Sequence, residues 1–535
     1  MGDLQKYCIM AYPLRQHRLT LRSNRPKIAR MKTPRTRVPE SPLLRAAIDA
    51  CAAWGTPAWL VGGAVRDILL GRPVHDFDIA VAHGGIDAAR DAASRLRAPM
   101  YVLDAERDTA RVVTFDAAGV RTFLDFAQLR AATIEADLAQ RDFTVNAIAI
   151  DLAQPDRLID PFGGQRDLKA GILRAVGDTS LSDDPARLLR AARLAAGLAM
   201  RIEPATEKRI RRAAHLITLV SAERVRDELA QIVELPNLHE NLLALERLGL
   251  LPELLPEVAA MRGVAQSPPH HWDVREHTLR LLDLLETLLS RLVGLESQAP
   301  TAPPGKTAPA GVWLDVDDAL APMRDALRTH FMKALSDERP AWSILKWAAL
   351  LHDVGKPITR SVDPDGRNRF LEHETASTHM AAERLRRLRF STGEIERVAL
   401  IIQHHMRPHH LAESGMSRRA AYRFFRDTGE AGVDVLLLSL VDHLATHGPD
   451  LDAERWACRL DLARGMLDEY FNRRAETISP PALISGHDVM SGLGLKPGRQ
   501  VGELLEAVRE AQAAGEVRTR EEALELARKL KRDEG

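Results

Sequence analysis

Two aspartates, two residues apart and downstream of a glycine pair, are the side chains in this sequence best suited to chemistry. The run reads Leu60-Val61-Gly62-Gly63-Ala64-Val65-Arg66-Asp67, then Leu70-Gly71, then Asp76-Phe77-Asp78-Ile79-Ala80-Val81. The apolar stretch 59–61 predicts a strand, and the glycines permit close approach of the backbone to a ligand. A helix that starts there has free N–H groups to face a phosphate. In a second apolar strand, residues i and i+2 point the same way, so Asp76 and Asp78 share a face. Two carboxylates beside a phosphate cradle form a seat for Mg²⁺ and a triphosphate. The plain alternative is a Gly turn followed by a solvated Asp-x-Asp on an edge strand; the two features joined at this spacing favour the chemical reading.

These residues resemble the signature of the template-independent RNA nucleotidyltransferases, the class II tRNA CCA-adding enzymes and bacterial poly(A) polymerases. Further blocks follow in the order of that family. Arg141-Asp142-Phe143-Thr144-Val145-Asn146-Ala147 looks like the block that contacts the ribose and phosphates of the incoming nucleotide. Asp160-Pro161-Phe162-Gly163-Gly164 looks like the hinge-bearing segment beyond the palm. Asp183-Asp184-Pro185-Ala186-Arg187-Leu188-Leu189-Arg190-Ala191-Ala192-Arg193 looks like the helix that reads the base, with Asp183 where Glu is usual. Ser221-Ala222-Glu223-Arg224-Val225 and Glu228-Leu229 resemble the next helical block. The resemblance implies nucleotide contacts from Gly62, Gly63, Arg66, Arg141, Asp142, Asn146, Asp184, Arg187, Arg190 and Arg193.

The implied reaction is attack of an RNA 3′ hydroxyl on the α-phosphate of CTP or ATP, with loss of pyrophosphate. Two divalent ions can activate the attacking oxygen and steady the leaving one. Asp76 and Asp78 are the expected Mg²⁺ ligands. Asp125, in the apolar run Thr122-Phe123-Leu124-Asp125-Phe126, is the candidate third carboxylate, with a structural strand-end aspartate as the other reading. Arg66 is read either as a phosphate contact or as the partner of a nearby aspartate. Asp184 and Arg187, three apart in a helical run, are expected on one face. There they would accept from the exocyclic amine and donate to the ring of C or A.

A second constellation occupies the other half. His277 stands in the run 270–278, His352-Asp353 is followed by Val354-Gly355-Lys356, and His373, His404-His405 and Asp442-His443 come after. This order resembles the HD superfamily of metal-dependent phosphohydrolases. The resemblance implies His277, His352, Asp353 and Asp442 as core ligands, with His373 and one of His404 or His405 for a second ion. Imidazole and carboxylate donors suit a divalent transition metal or Mg²⁺ rather than a thiolate-held structural zinc. The implied chemistry is hydrolysis of phosphate esters at RNA 3′ ends, with Lys356 as a candidate phosphate contact.

The elements that must position these groups are legible more coarsely. The chain has 535 residues, 45% hydrophobic and 28% charged, with only 4% aromatic. That length and composition fit a multidomain, mostly helical globular protein. The expected fold is α+β, a nucleotidyltransferase palm of small mixed sheet with helices on one face, followed by all-α domains that include the HD fold. The expected divisions are a basic arm over 1–40, a head over 41–170 and a helical nucleotide- and RNA-binding part over 171–262. An HD domain over 263–450, with a Pro/Ala-rich insertion at about 296–312, and a helical tail over 451–535 complete the order.

Net charge is zero, but residues 1–40 hold ten Lys and Arg against Asp3 and Glu40, a composition suited to non-specific phosphate contact. Arg190, Arg193, Arg201, Lys208, Arg209, Arg211 and Arg212 add a basic helical face suited to an RNA stem. Three scattered cysteines exclude a disulfide framework or a zinc ribbon. No apolar run reaches the length of a membrane span, and no secretory leader is recognisable, so the expected location is cytoplasmic. The HD ligands and the mixed-charge C-terminus favour CCA addition to tRNA. Poly(A) synthesis and partial CC or A addition are the alternatives within the family. An HD phosphohydrolase with a non-catalytic nucleotidyltransferase module is the alternative of another class.

Overall fold

The computed structural model describes residues 41–116, 119, 121–294, 311–335 and 339–533. The basic arm and nearly all of the 296–312 insertion lie outside the described residues. The chain divides into two compact units, the first built from 1–235 and 241–254, the second from 236–240 and 255–535.

The first unit is organised by a seven-stranded mixed sheet in the order β3-β4-β5-β2-β1-β6-β7. Its strands are β1 (Ala58–Val61), β2 (Asp76–Val81), β3 (Met100–Asp104), β4 (Thr109–Phe115), β5 (Arg121–Gln128), β6 (Ala149–Asp151) and β7 (Leu158–Ile159). Only β2 and β5 run parallel; the other neighbours are antiparallel. The period of two sorts the strand residues. Leu60, Phe77, Ile79, Val81, Leu124 and Phe126 enter one core with α1 (Pro42–Ala53) and α3 (Gly85–Leu96). Val61, Ala80, Ile134 and Leu138 form a smaller cluster on the opposite face. Asp76, Asp78 and Asp125 alternate with the first set and therefore face away from α1 and α3.

Helices follow from residue 186 to 260, interrupted where Leu235 turns extended and Asn237 takes a positive φ of 60°. Pro236 removes a donor and disfavours helix at the residue before it, which explains the break. The helix expected to run unbroken from Asp183 does not. It is split into Ser180–Asp183 and Ala186–Gly197, with Asp184 extended at φ −139° and ψ 94°. Pro185 is the cause, through the same restriction on its predecessor.

The second unit is almost wholly helical, and Val274–Val293, Ala341–Leu351, Thr392–His404 and Ala431–His447 form its centre. Val274–Val293, Ala341–Leu351 and Ala431–His447 bury most of their residues, whereas Thr392–His404 buries one face with Val398, Ile401 and Ile402. One small hairpin, Arg360–Val362 with Asn368–Phe370, interrupts them. Three short helices, Gly486–Leu493, Arg499–Ala513 and Arg520–Asp533, close the chain around a core of Val489, Leu504, Val508 and Ala527. No helix among the described residues is long and apolar enough to cross a membrane.

Candidate functional site

Strand register brings the three head carboxylates together. Asp78 pairs directly with Asp125 across the parallel β2–β5 ladder, and Asp76 sits two residues earlier on the same face. Asp125 is not free: Arg111, its antiparallel partner on β4, grips both oxygens at 2.8 and 2.7 Å. Asp78 reaches solvent, yet its pKa is pushed up to about 6. The surrounding protein mass raises it first and Asp125 second, while Arg141 pulls the other way. Three carboxylates with this much mutual repulsion suit a divalent cation.

Gly62 opens the seven-residue helix α2 (Gly63–Leu69) with φ 73°, a conformation that favours glycine. A Cβ at Gly62 would stand 3.0 Å from both Arg141 Nη1 and Asp78 Oδ2, so glycine is also required by space. Arg66 ion-pairs with its neighbour Asp67 and donates to Asn146 Oδ1 at 2.8 Å. From there a polar chain continues. Asn146 donates to Asp142 at 3.0 Å, Arg190 spans Asp142 and Glu228, and Arg193 donates to Glu228 at 2.5 Å.

Arg190 and Arg193 therefore do not form the exposed basic face expected of them; they clamp the largely buried Glu228. Arg209 and Arg211 are likewise committed, to Asp178 and Glu207. Asp184 and Arg187 are also differently disposed. Arg224 donates to Asp184 at 2.8 Å, while the Arg187 Nε stands 3.8 Å away. Arg187 donates instead to the carbonyls of Gln140, Ser180 and Arg141 at 2.8, 3.0 and 3.4 Å.

In the second unit the histidines and aspartates converge. His277, His352 and Asp353 form one group, and Asp353, His373 and His405 another, each with ligand atoms within 4.8 Å of one another and all buried. Asp353 is shared. Its Oδ2 faces His352 Nε2 at 3.2 Å and its Oδ1 faces His373 Nε2 at 3.4 Å. Asp442 Oδ1 lies 3.0 Å from His277 Nε2. His404 does not join; its neighbours are Arg407 and Asp427. One helical step rotates its side chain about 100° from that of His405, which separates the two.

The donor set fits a metal. His352, His373 and His405 each place Nδ1 2.7–2.9 Å from a backbone carbonyl, of Ala349, Phe370 and Ile402. A carbonyl only accepts, so Nδ1 carries the hydrogen and the Nε2 lone pair is left for an ion. Nε2 of His277, His352 and His373 and both oxygens of Asp353 are buried and face one another and Lys356 without a well-directed hydrogen bond, an arrangement of converging donor atoms that a metal would satisfy. Burial pushes His405 down to about 3 and lowers His373, keeping both neutral. Burial alone would raise Asp353, but His352 and Lys356 hold it well below the usual carboxylate range. Without an ion Asp353 and His352 support each other's charge: His352 is raised against its burial, and a metal at His352 Nε2 would take the place of its proton. Lys356, read from sequence as solvent-facing or phosphate-binding, is buried and donates to Gln266 at 2.9 Å, with Asp353 at 2.8 Å.

Several participants escaped the sequence reading. Arg111 and Asp137, which holds Arg141 at 3.3 Å, are visible only through strand pairing and tertiary contact. His270, whose ring lies 5.5 Å from that of His277, sits in a proline-rich loop with no periodic signal.

A carboxylate-lined sheet face and a buried histidine–aspartate cluster define a nucleotidyltransferase joined to an HD-type metal domain, both of metal-dependent kind. Family models agree: the poly A polymerase head domain matches residues 58–174, the probable RNA and SrmB-binding site of polymerase A matches 199–262, and the HD domain matches 329–446. The HD match begins after His277, which the fold nonetheless delivers to the cluster. An A-adding tRNA nucleotidyltransferase of Deinococcus radiodurans is 36% identical over 87% of this chain and 94% of its own length. A CC-adding tRNA nucleotidyltransferase of Thermus thermophilus is 35% identical over 87% and 92%. The chain belongs to the tRNA nucleotidyltransferase family. The solved structure of a CCA-adding enzyme with ATP has the same fold, at 22% identity and a TM-score of 0.57 over 90% of this chain and 93% of that one. The Thermotoga maritima CCA-adding enzyme complexed with tRNA matches at 22% identity and a TM-score of 0.52, over 91% and 94%.

Proposed function

We propose that this protein extends tRNA 3′ ends with CTP and ATP, building CCA without a nucleic-acid template. The observation that carries this reading is the juxtaposition of Asp76, Asp78 and Asp125 on one sheet face beside Gly62 and Arg141. Asp76 and Asp78 would hold Mg²⁺, which would supply Lewis-acid activation of the RNA 3′ hydroxyl and charge neutralisation at the departing pyrophosphate. Arg111 orients Asp125 towards them. Gly62 and Gly63 admit the triphosphate, and Arg141 meets its charge beside Asp78. Arg66, Asn146 and Asp142 fix the ribose and phosphate end through the chain that continues to Arg190, Glu228 and Arg193. Asp184 and Arg187 read the amino-bearing edge of C or A. The head is assigned to 41–170, base reading and RNA contact to 171–262, HD chemistry to 263–450, and the tail to 451–535. The proposed substrates place this work in the cytoplasm.

The HD centre supports a second activity in the same chain, phosphoester hydrolysis at RNA 3′ ends, in which His277, His352, Asp353, Asp442, His373 and His405 would hold divalent metal that supplies Lewis-acid activation of water. The full-length relatives are A-adding and CC-adding enzymes, and this favours partial addition as the second reading of the head. A gel assay separates the readings, using tRNA transcripts ending before C74, after C75 or after A76 in the usual tRNA positions. Two additions with CTP and three with both nucleotides establish CCA synthesis. Extension of only one transcript type establishes a partial enzyme, and a long tail from ATP alone overturns both in favour of poly(A) synthesis.

A further inference from the structure

The carboxylate face of the head sheet continues beyond its three aspartates. Residues paired directly across neighbouring strands share a face, so the rungs of the sheet can be followed from strand to strand. One rung runs Asp78, Asp125, Arg111, Tyr101 across β2, β5, β4 and β3. The next rung on that face pairs Asp76 with Phe123, and the one after it pairs Arg121 with Phe115. Tyr101 and Phe115 are each 53% exposed, an unusual placement for large aromatic rings. Arg111, while gripping Asp125, lays its guanidinium 4.6 Å from the centre of the Phe123 ring. Arg121 stands 6.0 Å from Phe123 and 5.9 Å from Phe115. Aromatic rings interleaved with guanidinium groups on an open sheet suit unpaired nucleic acid, because rings and guanidinium planes stack on bases while arginine charge meets phosphate.

Strand order decides which substrate this surface serves. β1 lies on one side of β2 and leads into Gly62, whereas β5, β4 and β3 lie on the other side. Gly62 stands against both Asp78 and Arg141, so the triphosphate assigned to Gly62, Gly63 and Arg141 lies towards β1. In-line transfer puts the attacking hydroxyl and the departing pyrophosphate on opposite sides of the α-phosphorus. With pyrophosphate towards β1, the RNA 3′ end approaches over β5, β4 and β3.

We infer that Tyr101, Phe115 and Phe123, with Arg111 and Arg121, form a stacking platform for the unpaired 3′ end of the RNA substrate. The inference rests on the reading of the head as a nucleotidyltransferase with its triphosphate at Gly62 and Gly63. Three strand spacings separate Tyr101 from Asp78, about 14 Å, so Tyr101 takes a base behind the terminal one. Stacking tolerates any base, so the platform holds RNA ends without regard to sequence and leaves selection to the residues that read the incoming nucleotide.

The test uses full-length protein and a tRNA transcript lacking its 3′ CCA, with 4-thiouridine as its unpaired 3′ nucleotide for photo-crosslinking. Tyr101→Ala is expected to raise KM for the transcript about 10-fold or more, the loss of one base–aromatic stack. KM for CTP, kcat at saturating RNA and the melting curve are expected to stay at wild-type values, and Tyr101→Trp to restore the RNA KM. Crosslinks are expected within 100–123. A wild-type KM for RNA in the Tyr101→Ala/Phe115→Ala double variant overturns the platform and leaves the nucleotidyltransferase reading intact. If the wild type does not extend RNA, crosslinks to these strands keep the platform and remove that reading, and their absence overturns both. Val102 and Leu103 on the same edge strand are exposed as well. Self-association in sedimentation that Tyr101→Ala abolishes would assign the strand to a second copy of this chain and overturn the RNA platform.

Discussion

Asp78 carries the clearest single-residue consequence, because its folded pKa of about 6 exceeds the ordinary value of 3.8. For a carboxyl raised on folding, the associated stability is complete below pH 3.8 and is lost as pH climbs through about 6. Above pH 6 the metal-free fold therefore bears an uncompensated charge that Asp78→Asn removes. That variant is expected to melt higher than wild type at pH 8 in EDTA, with the gap closing below pH 4, while nucleotide addition falls about 10³-fold or more. Thermal melts across pH, paired with incorporation assays, check both. A variant that melts lower at pH 8 would contradict the repulsion. Arg187 behaves differently, since its guanidinium serves three backbone carbonyls besides the base reading proposed for it. Arg187→Ala is expected to blur C and A selection and also to cost about 1–3 kcal/mol of stability through unmet carbonyls. Arg224→Ala, which removes a half-exposed ion pair with Asp184, is expected to alter selection with a stability change under about 1 kcal/mol. Incorporation ratios and denaturant midpoints distinguish the two.

At the scale of elements, close approach sets the tolerances. Gly355 ends the His352-Asp353 segment with an ordinary φ of −81°, but a Cβ there would stand 2.6 Å from Ser377 N and 2.7 Å from His373 O. The helix His373–Arg387 must touch this backbone to deliver His373 to Asp353. Gly355→Ala is expected to cost about 1–3 kcal/mol by overpacking and to lower occupancy of the His373–His405 metal position more than that of the His277–His352 position. Metal content by mass spectrometry and melting curves provide the check; full occupancy would show the helix can shift without harm. Asp183 to Arg193 shows the opposite lesson about reading elements. The spacing 184–187 reads as one helical face, yet Pro185 holds Asp184 extended, and the pair meets other partners.

For the whole molecule, the two proposed metal sites fall in different units, and metal linkage should distinguish them. A ligand that binds only the folded unit stabilises it by about 2.7 kcal/mol at a hundredfold excess over Kd. Mn²⁺ is expected to raise one calorimetric transition that Asp353→Asn no longer shifts, while the Asp353→Asn protein still extends tRNA. A common shift of every transition in both proteins would contradict this division.

The spacing of Gly62, Gly63, Asp76 and Asp78 was enough to place strand, helix and paired carboxylates, because strand and helix periods are local and each residue's face follows from its neighbours. The histidines and aspartates that converge in the HD cluster were legible as residue types in order, since metal binding restricts the donor atoms that can serve. Partnership was not legible. Which of His404 and His405 turns inward, that Arg111 grips Asp125, and that Glu228 gathers Arg190 and Arg193 depend on strand register and helix packing. The arginine–carboxylate contacts among these join residues 14 to 38 positions apart, and only burial of a common core decides which of many compatible partners meet.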